Sequence, residues 1–95
     1  MKISIIIPTY NNFEYLNFLL FSINENSNYD HEIILHINDG SDGSLDFAKK
    51  KNLKYSFSHN NIGLCSSVNA AAKLSTNDYI LYCHDDMFFC KNWDL

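Results

Sequence analysis

The run "ISIIIP", residues 3–8, constrains this chain more than any other feature. A nearly unbroken β-branched stretch leaves no polar face for water, so it reads as a strand covered on both sides, the pattern of a parallel sheet. Such a strand needs helices to cover it. The segment "FEYLNFLLFSI" carries Phe13, Leu16, Leu20 and Ile23 at helical spacing, with Asn11 and Glu14 placed to form a capping box at its start. "EIILHI" repeats the buried-strand signal. "GSLDFAKKKN" follows as a short helix capped by Asp42, with Lys49, Lys50 and Lys51 suited to the negative end of the helix dipole. "LKYSFS" alternates more, as an edge strand does. The third helix is "GLCSSVNAAAKLS", with Leu64, Val68, Ala71 and Ala72 on one face, and "DYILYC" is a fourth strand that runs into "HDDM". This βαβαβαβ order predicts an α/β fold: a mainly parallel four-stranded sheet with helices on both faces and right-handed crossovers.

Ninety-five residues, 46% of them hydrophobic, suffice for one compact domain or part of one. A net charge of −4 lacks the basic footprint of a protein that neutralises nucleic-acid phosphates, which argues against nucleic acid as a partner. Cys65, Cys83 and Cys90 are odd in number and show no C-x-x-C spacing, so neither a disulfide framework nor a zinc site is expected. A reduced, cytoplasmic setting fits them. The apolar run near the start is too short for a secretion signal or a membrane span, which leaves at most a peripheral contact with a membrane. No G-x-G-x-x-G follows the first strand and no G-x-x-x-x-G-K-[ST] occurs, which disfavours a dinucleotide-dependent dehydrogenase and a phosphate-loop NTPase.

In open α/β sheets, ligands bind beyond the carboxyl ends of the strands, where the strand order switches. The polar loops "PTYNN", "NDGSDGS" and "HDDMFF" all follow strands, so they gather on that edge and bring Asp39, Asp42, Asp85 and Asp86 toward one crevice. None of the three loops holds a lysine or arginine. If a phosphate binds there, a hard divalent ion, Mg²⁺ or Mn²⁺, held by one or two carboxylates and completed by phosphate oxygens and water, is the natural source of positive charge.

Taken together, "SIIIPTYNN", "EIILHINDGSDGS" and "NNIGLCSSVNAAAKLSTNDYILYCHDD" resemble the nucleotide-binding half of the family 2 glycosyltransferases of the GT-A fold. The likeness keeps the order and spacing of four motifs over nearly the whole chain. It implies that Pro8, Thr9 and Tyr10 hold the nucleotide base, that Asp39 binds the base, usually uracil, and that Gly63 and Asn69 belong to the same nucleotide-sugar site. The family's metal and diphosphate motif falls on His84, Asp85 and Asp86. Asp86 is then the metal ligand, His84 a second candidate, and Asp85 a residue for the ribose or for structure. Three departures stand out: Asn38 in place of the usual first aspartate, Val68 where many members have arginine, and His84 in place of the metal motif's first aspartate.

The expected function is donor binding in a glycosyltransferase: a nucleotide-sugar, expected to be a UDP-sugar, bound with Mn²⁺ or Mg²⁺ for transfer to an acceptor that the sequence does not specify. The alternative is a non-catalytic nucleotide-binding or interaction module on the same fold. In the family the acceptor site and the general base follow the metal motif, where only "MFFCKNWDL" remains here. Residues 1–95 therefore read as one domain, the nucleotide-sugar-binding half without the acceptor half, and no catalytic base is assigned. Met87, Phe88, Phe89 and Trp93 are expected to lack full cover, which predicts self-association.

Overall fold

In the computed structural model, which describes residues 2–95, the elements run β1 (Ser4–Tyr10), α1 (Phe13–Asn26), β2 (Glu32–Asn38), α2 (Ser44–Lys50), β3 (Lys54–Ser58), α3 (Leu64–Ala72) and β4 (Ile80–Tyr82). The sheet order is β3-β2-β1-β4, and every neighbouring pair is parallel. The expected α/β architecture is present. Alternation along β1 and β2 sorts their side chains between two cores. Ile5, Ile7, Leu35 and Ile37 meet Leu16, Leu19, Leu20 and Ile23 of α1 and Ala48 of α2, whereas Ile6 and Ile34 meet Ala71 and Val68 of α3. Helices therefore cover both faces, and Ile5, Ile6 and Ile7 have no exposed surface.

Several local expectations change in the tertiary context. The N-cap of α2 is Gly43 rather than Asp42; Asp42 stands just before it, its Oδ1 accepting from Ser44 N at 3.1 Å and Ser44 Oγ at 2.7 Å. The capping box at α1 does not form. Asn11 takes a positive φ of 53°, α1 starts after Asn12 without a side-chain cap, and the Asn12 amide instead donates to Asp85 Oδ1 at 3.2 Å. On α3 the buried positions are Ser67 and Ala71, with Val68 beside them, while Leu64 is exposed and Ala72 half-buried. Ser67 turns inward because its hydroxyl donates to Gly63 O at 2.6 Å and accepts from Asn38 Nδ2 at 3.1 Å. Cys65 is exposed and Cys83 is buried, and burial, aided by the charge of Asp85, pushes the Cys83 thiol up to about 12.

The segment after β4 folds back along α1. Phe89 N donates to Ser22 Oγ at 2.9 Å, Asn26 Nδ2 donates to Phe89 O at 2.7 Å, and Trp93 Nε1 donates to Ser27 Oγ at 2.8 Å. Phe89 and Trp93 pack edge to face at 4.5 Å. This covers two of the four residues expected to lack it; Met87 and Phe88 remain exposed. Asp94 closes the strap by accepting from Asn28 N, Asn28 Nδ2, Tyr29 N and His31 Nε2. His31 Nδ1 accepts from Ile3 N at 3.1 Å, so Nε2 carries the proton given to Asp94. Desolvation acts to raise the Asp94 carboxyl, but the bonds from Asn28, His31 and Tyr29 outweigh it and hold the group below its ordinary value.

At the amino ends of the strands, Glu32 joins four segments. Its carboxylate accepts from Ser4 Oγ at 2.7 Å, Lys54 Nζ at 2.6 Å, Thr76 N at 2.8 Å and Thr76 Oγ at 2.9 Å. Desolvation pulls this carboxyl up, yet the donors of Lys54, Thr76 and Ser4 win and bring it down to about 2. A carboxyl whose folded value is depressed contributes stability above its unfolded value and loses it as pH falls through the folded one. Between pH 4.5 and about 2, wild-type protein is therefore expected to lose stability more steeply than Glu32→Gln. Urea unfolding midpoints across that range check it, and parallel profiles for the two proteins would show that Glu32 has no such role.

Candidate functional site

β1 is where the strand order reverses. From it the chain reaches β2 through α1 on one face, and it later returns through α3 on the other face to set β4 on the opposite side. The loops leaving β1 and β4 therefore diverge and leave a crevice beyond the strand ends. An open cleft of about 240 Å³ lies there. β1 contributes Pro8, Thr9 and Tyr10, and Asn12 follows them; β2 contributes Asn38. Asn61, Gly63, Leu64 and Ser67 come from the start of α3 and the loop before it, and His84 and Asp85 from the loop after β4.

Six of the residues singled out in the sequence are thus brought together: Pro8, Thr9, Tyr10, Gly63, His84 and Asp85. Three are not on the cleft wall. Asp39 sits one residue past Asn38 in a tight turn, with φ of 68°, Gly40 N donating to Asn38 O at 2.8 Å, and its carboxylate accepting from Ser41 Oγ at 2.9 Å. Glycine is needed next to it, because a Cβ at Gly40 would stand 2.9 Å from Leu45 Cβ. Asn69 lies with Leu64, Cys65, Val68 and Tyr82 around a second, apolar hollow that adjoins the cleft through Leu64. Asp86 is exposed, and its side chain makes no hydrogen bond among the described residues. Asp42 belongs to a different hollow, beside residues 11–15 at the start of α1. The four loop carboxylates are therefore spread along the edge rather than focused on one point.

The two adjacent aspartates have different surroundings. Asp85 Oδ2 accepts from Thr9 Oγ at 2.9 Å and Oδ1 from Asn12 Nδ2 at 3.2 Å, so this carboxylate ties the β4 loop to the β1 loop. Among the described residues, no donor reaches either carboxylate oxygen of Asp86. Beside them, both ring nitrogens of His84 lie within 3.1 to 3.3 Å of the Tyr82 hydroxyl, and the rings meet edge to face. No lysine or arginine lines the cleft. Among the described residues no three His, Cys, Asp or Glu side chains converge on a point where they could hold an ion by themselves. A hard cation would thus find one free carboxylate here and would take its other oxygens from a ligand and from water.

Sequence reasoning did not single out Asn12, Asn61, Leu64 and Ser67 as wall residues. Leu64 and Ser67 fall within an amphipathic-helix pattern, and Asn12 and Asn61 sit in polar loops whose course no local pattern specifies.

An open parallel α/β sheet with a polar cleft at its switch point is an architecture that nucleotide-binding domains use. Similarity to known proteins narrows this class. The sequence model described as Glycosyl transferase family 2 matches residues 4–94, and the chain belongs to that family. A cholesterol galactosyltransferase of Borreliella burgdorferi is 38% identical over 90 residues, covering 90% of this chain and 25% of that protein. The crystal structure of S. aureus TarS 1–349 superposes with a TM-score of 0.82 at 28% identity, covering 96% of this chain and 29% of TarS 1–349, and the same TarS fragment in complex with UDP gives 0.81. The mannosyltransferase PcManGT from Pyrobaculum calidifontis, solved with GDP-Man and Mn²⁺, shares the fold at a TM-score of 0.76 and 18% identity, covering 92% of this chain and 28% of its own. The chain spans about a quarter of the length of the galactosyltransferase. Among the described residues, no helix is long and apolar enough to cross a membrane.

The contrast between Asp85 and Asp86 is measurable in the protein alone. Asp85→Ala removes an acceptor from two donors that remain beside the cleft, and is expected to cost about 1–3 kcal/mol of unfolding free energy. Asp86→Ala, on an exposed side chain, should stay within about 0.5 kcal/mol of wild type. Equal losses in chemical denaturation would contradict the difference in their roles.

Proposed function

We propose that this chain is the donor-binding part of a glycosyltransferase, taking a nucleotide-sugar into the cleft between the β1, β2 and β4 loops. The observation that carries this reading is the cleft itself, at the switch point, walled by Pro8, Thr9, Tyr10, Gly63, His84 and Asp85, with no lysine or arginine among the described residues that line it. The likeness to TarS, a structure of which contains UDP, favours a UDP-sugar over other donors. In this reading Tyr10, 44% exposed, stacks on the base, and Asp39 and Asn69, which lie off the cleft wall, meet the donor from outside it. Asp85 keeps the two loops at a fixed distance, which leaves room for ribose and diphosphate.

Two negative phosphates beside Asp85 and Asp86 would repel them, so the reading requires a cation. The donor set fits Mg²⁺ or Mn²⁺: one unengaged carboxylate at Asp86, with phosphate oxygens completing the shell. His84, already paired with the Tyr82 hydroxyl, is the second candidate, and its participation would favour Mn²⁺. Held there, such an ion would supply positive charge to offset that developing on the departing diphosphate. The acceptor site, and the group that takes the acceptor's proton, belong in this proposal outside residues 1–95, which form one domain.

Calorimetric titration with UDP tests the reading. Binding is expected with Mn²⁺ or Mg²⁺ and should fall at least about tenfold in chelator, the loss of a cation that neutralises the diphosphate. Asp86→Ala should remove that metal dependence, and Tyr10→Ala should weaken binding without moving the unfolding midpoint. Equal affinity with and without metal would refute the ion's role; absence of UDP binding under all conditions would refute the nucleotide reading.

A further inference from the structure

We infer that Ser22 and Asn26, one turn apart on α1, are positioning residues for the acidic loop that carries Asp86, and that they act through the peptide groups of Phe89. The inference deepens the nucleotide reading and rests on it for its functional consequence. Ser22 has no exposed surface and lies among Leu19, Leu20 and Ile23 on the buried face of α1. Its hydroxyl donates to Leu19 O at 2.7 Å, a local bond that a helical serine can make, and accepts from Phe89 N at 2.9 Å. One turn on, Asn26 Nδ2 donates to Phe89 O at 2.7 Å. Both backbone polar groups of Phe89 are thus held by side chains of α1. Apolar packing calls for neither a hydroxyl nor an amide here, whereas the N–H and C=O of a residue that is itself buried need partners.

This clamp stands three residues beyond Asp86. On the near side the loop is fixed by Cys83 N, which donates to Ile6 O at 3.1 Å, and by Asp85, whose oxygens take Thr9 Oγ and Asn12 Nδ2. Residues 86–88 lie between the two holds. Their own ties are few: Asp86 makes no side-chain hydrogen bond among the described residues, Met87 N reaches His84 O at 3.4 Å, and Phe88 meets Phe18 of α1 edge to face at 5.4 Å. The place of the Asp86 carboxylate is therefore set from the two ends. Phe18, Ser22 and Asn26 recur every four residues and form one stripe along α1, and Asn12 stands immediately before the same helix. One helix thus grips the loop on both sides of Asp86. A carboxylate that is to share a cation with a diphosphate gains from being held in place beforehand, because a loop released at one end must be ordered when the ligand binds.

The test compares wild type with Ser22→Ala and Asn26→Ala, each of which frees one polar group of Phe89. Two quantities are read: UDP affinity by calorimetry, in Mn²⁺ and in chelator, and the NMR order parameters of the Asp86 and Met87 amides in the protein alone. Each variant is expected to lower both order parameters and to cut the gain in affinity from Mn²⁺ at least about threefold, which is what part of one hydrogen bond is worth. Affinity in chelator should not change. Glu32→Gln, at the opposite end of the sheet, serves as the control for a loss of stability and should leave both readouts at their wild-type values. Wild-type order parameters and wild-type metal dependence in the folded variants would overturn the inference, and so would an equal effect of Glu32→Gln. If wild type itself binds no UDP, or gains nothing from Mn²⁺, the nucleotide or the metal reading fails, and the order parameters still decide whether α1 holds the loop. If Ser22→Ala does not fold, Asn26→Ala, at a half-buried position, decides alone.

Discussion

β1 is the constraint on which the rest depends. It has sheet neighbours on both edges and helices on both faces, so Ile5, Ile6 and Ile7 are withdrawn from water completely. Burying a side chain of this size is worth about 1.5–3 kcal/mol, and these three are divided between the two cores. The same position makes β1 the strand at which the order reverses. A cleft at its carboxyl end is a consequence of topology, before any particular side chain is considered.

Polar side chains hold the two ends of this sheet in different ways. At the amino end, the carboxylate of Glu32 gathers donors from β1, from Lys54 at the start of β3 and from the turn before β4. At the carboxyl end, two residues share this role. The neutral amide of Asn38 reaches β1, α3 and the loop before it, and the carboxylate of Asp85 reaches β1 and the loop that follows it. An amide can both donate and accept, which suits a place where a carbonyl and an N–H must be satisfied together. A carboxylate can only accept, which suits Asp85, whose two partners are donors. The identity of each residue follows from what its neighbours lack.

The adjacent Asp85 and Asp86 differ in the same physical terms. Engagement with Thr9 and Asn12 makes Asp85 part of the framework, while Asp86 is exposed and takes no hydrogen bond among the described residues. Beyond it, the chain is fastened to α1 and the turn after it by Phe89, Trp93 and Asp94. The acidic loop is thus anchored on both sides, by β4 before it and by the aromatic strap after it, although its own residues are mostly exposed.

Much of this was legible in the chain itself. Two β-branched runs without a polar face required a sheet covered on both sides, and helical spacing between them supplied the cover; family membership followed from four motifs in order. The bonds from Ser44 to Asp42 at the start of α2 are also local, because the partners lie two residues apart. What the sequence could not determine were contacts between residues far apart in the chain. The amide of Asn12, at the start of α1, is taken by Asp85, 73 residues on. Ser67 displaced Leu64 from the interior because Asn38 and Gly63 offered it partners. The strap hid Phe89 and Trp93 against α1. Periodicity reports which face of an element is apolar, and it says nothing about where a distant donor will stand. Elements and family were therefore determined by the sequence alone, and the placement of each polar side chain around the cleft was decided by the tertiary structure, because hydrogen bonds depend on positions in space that only the assembled sheet defines.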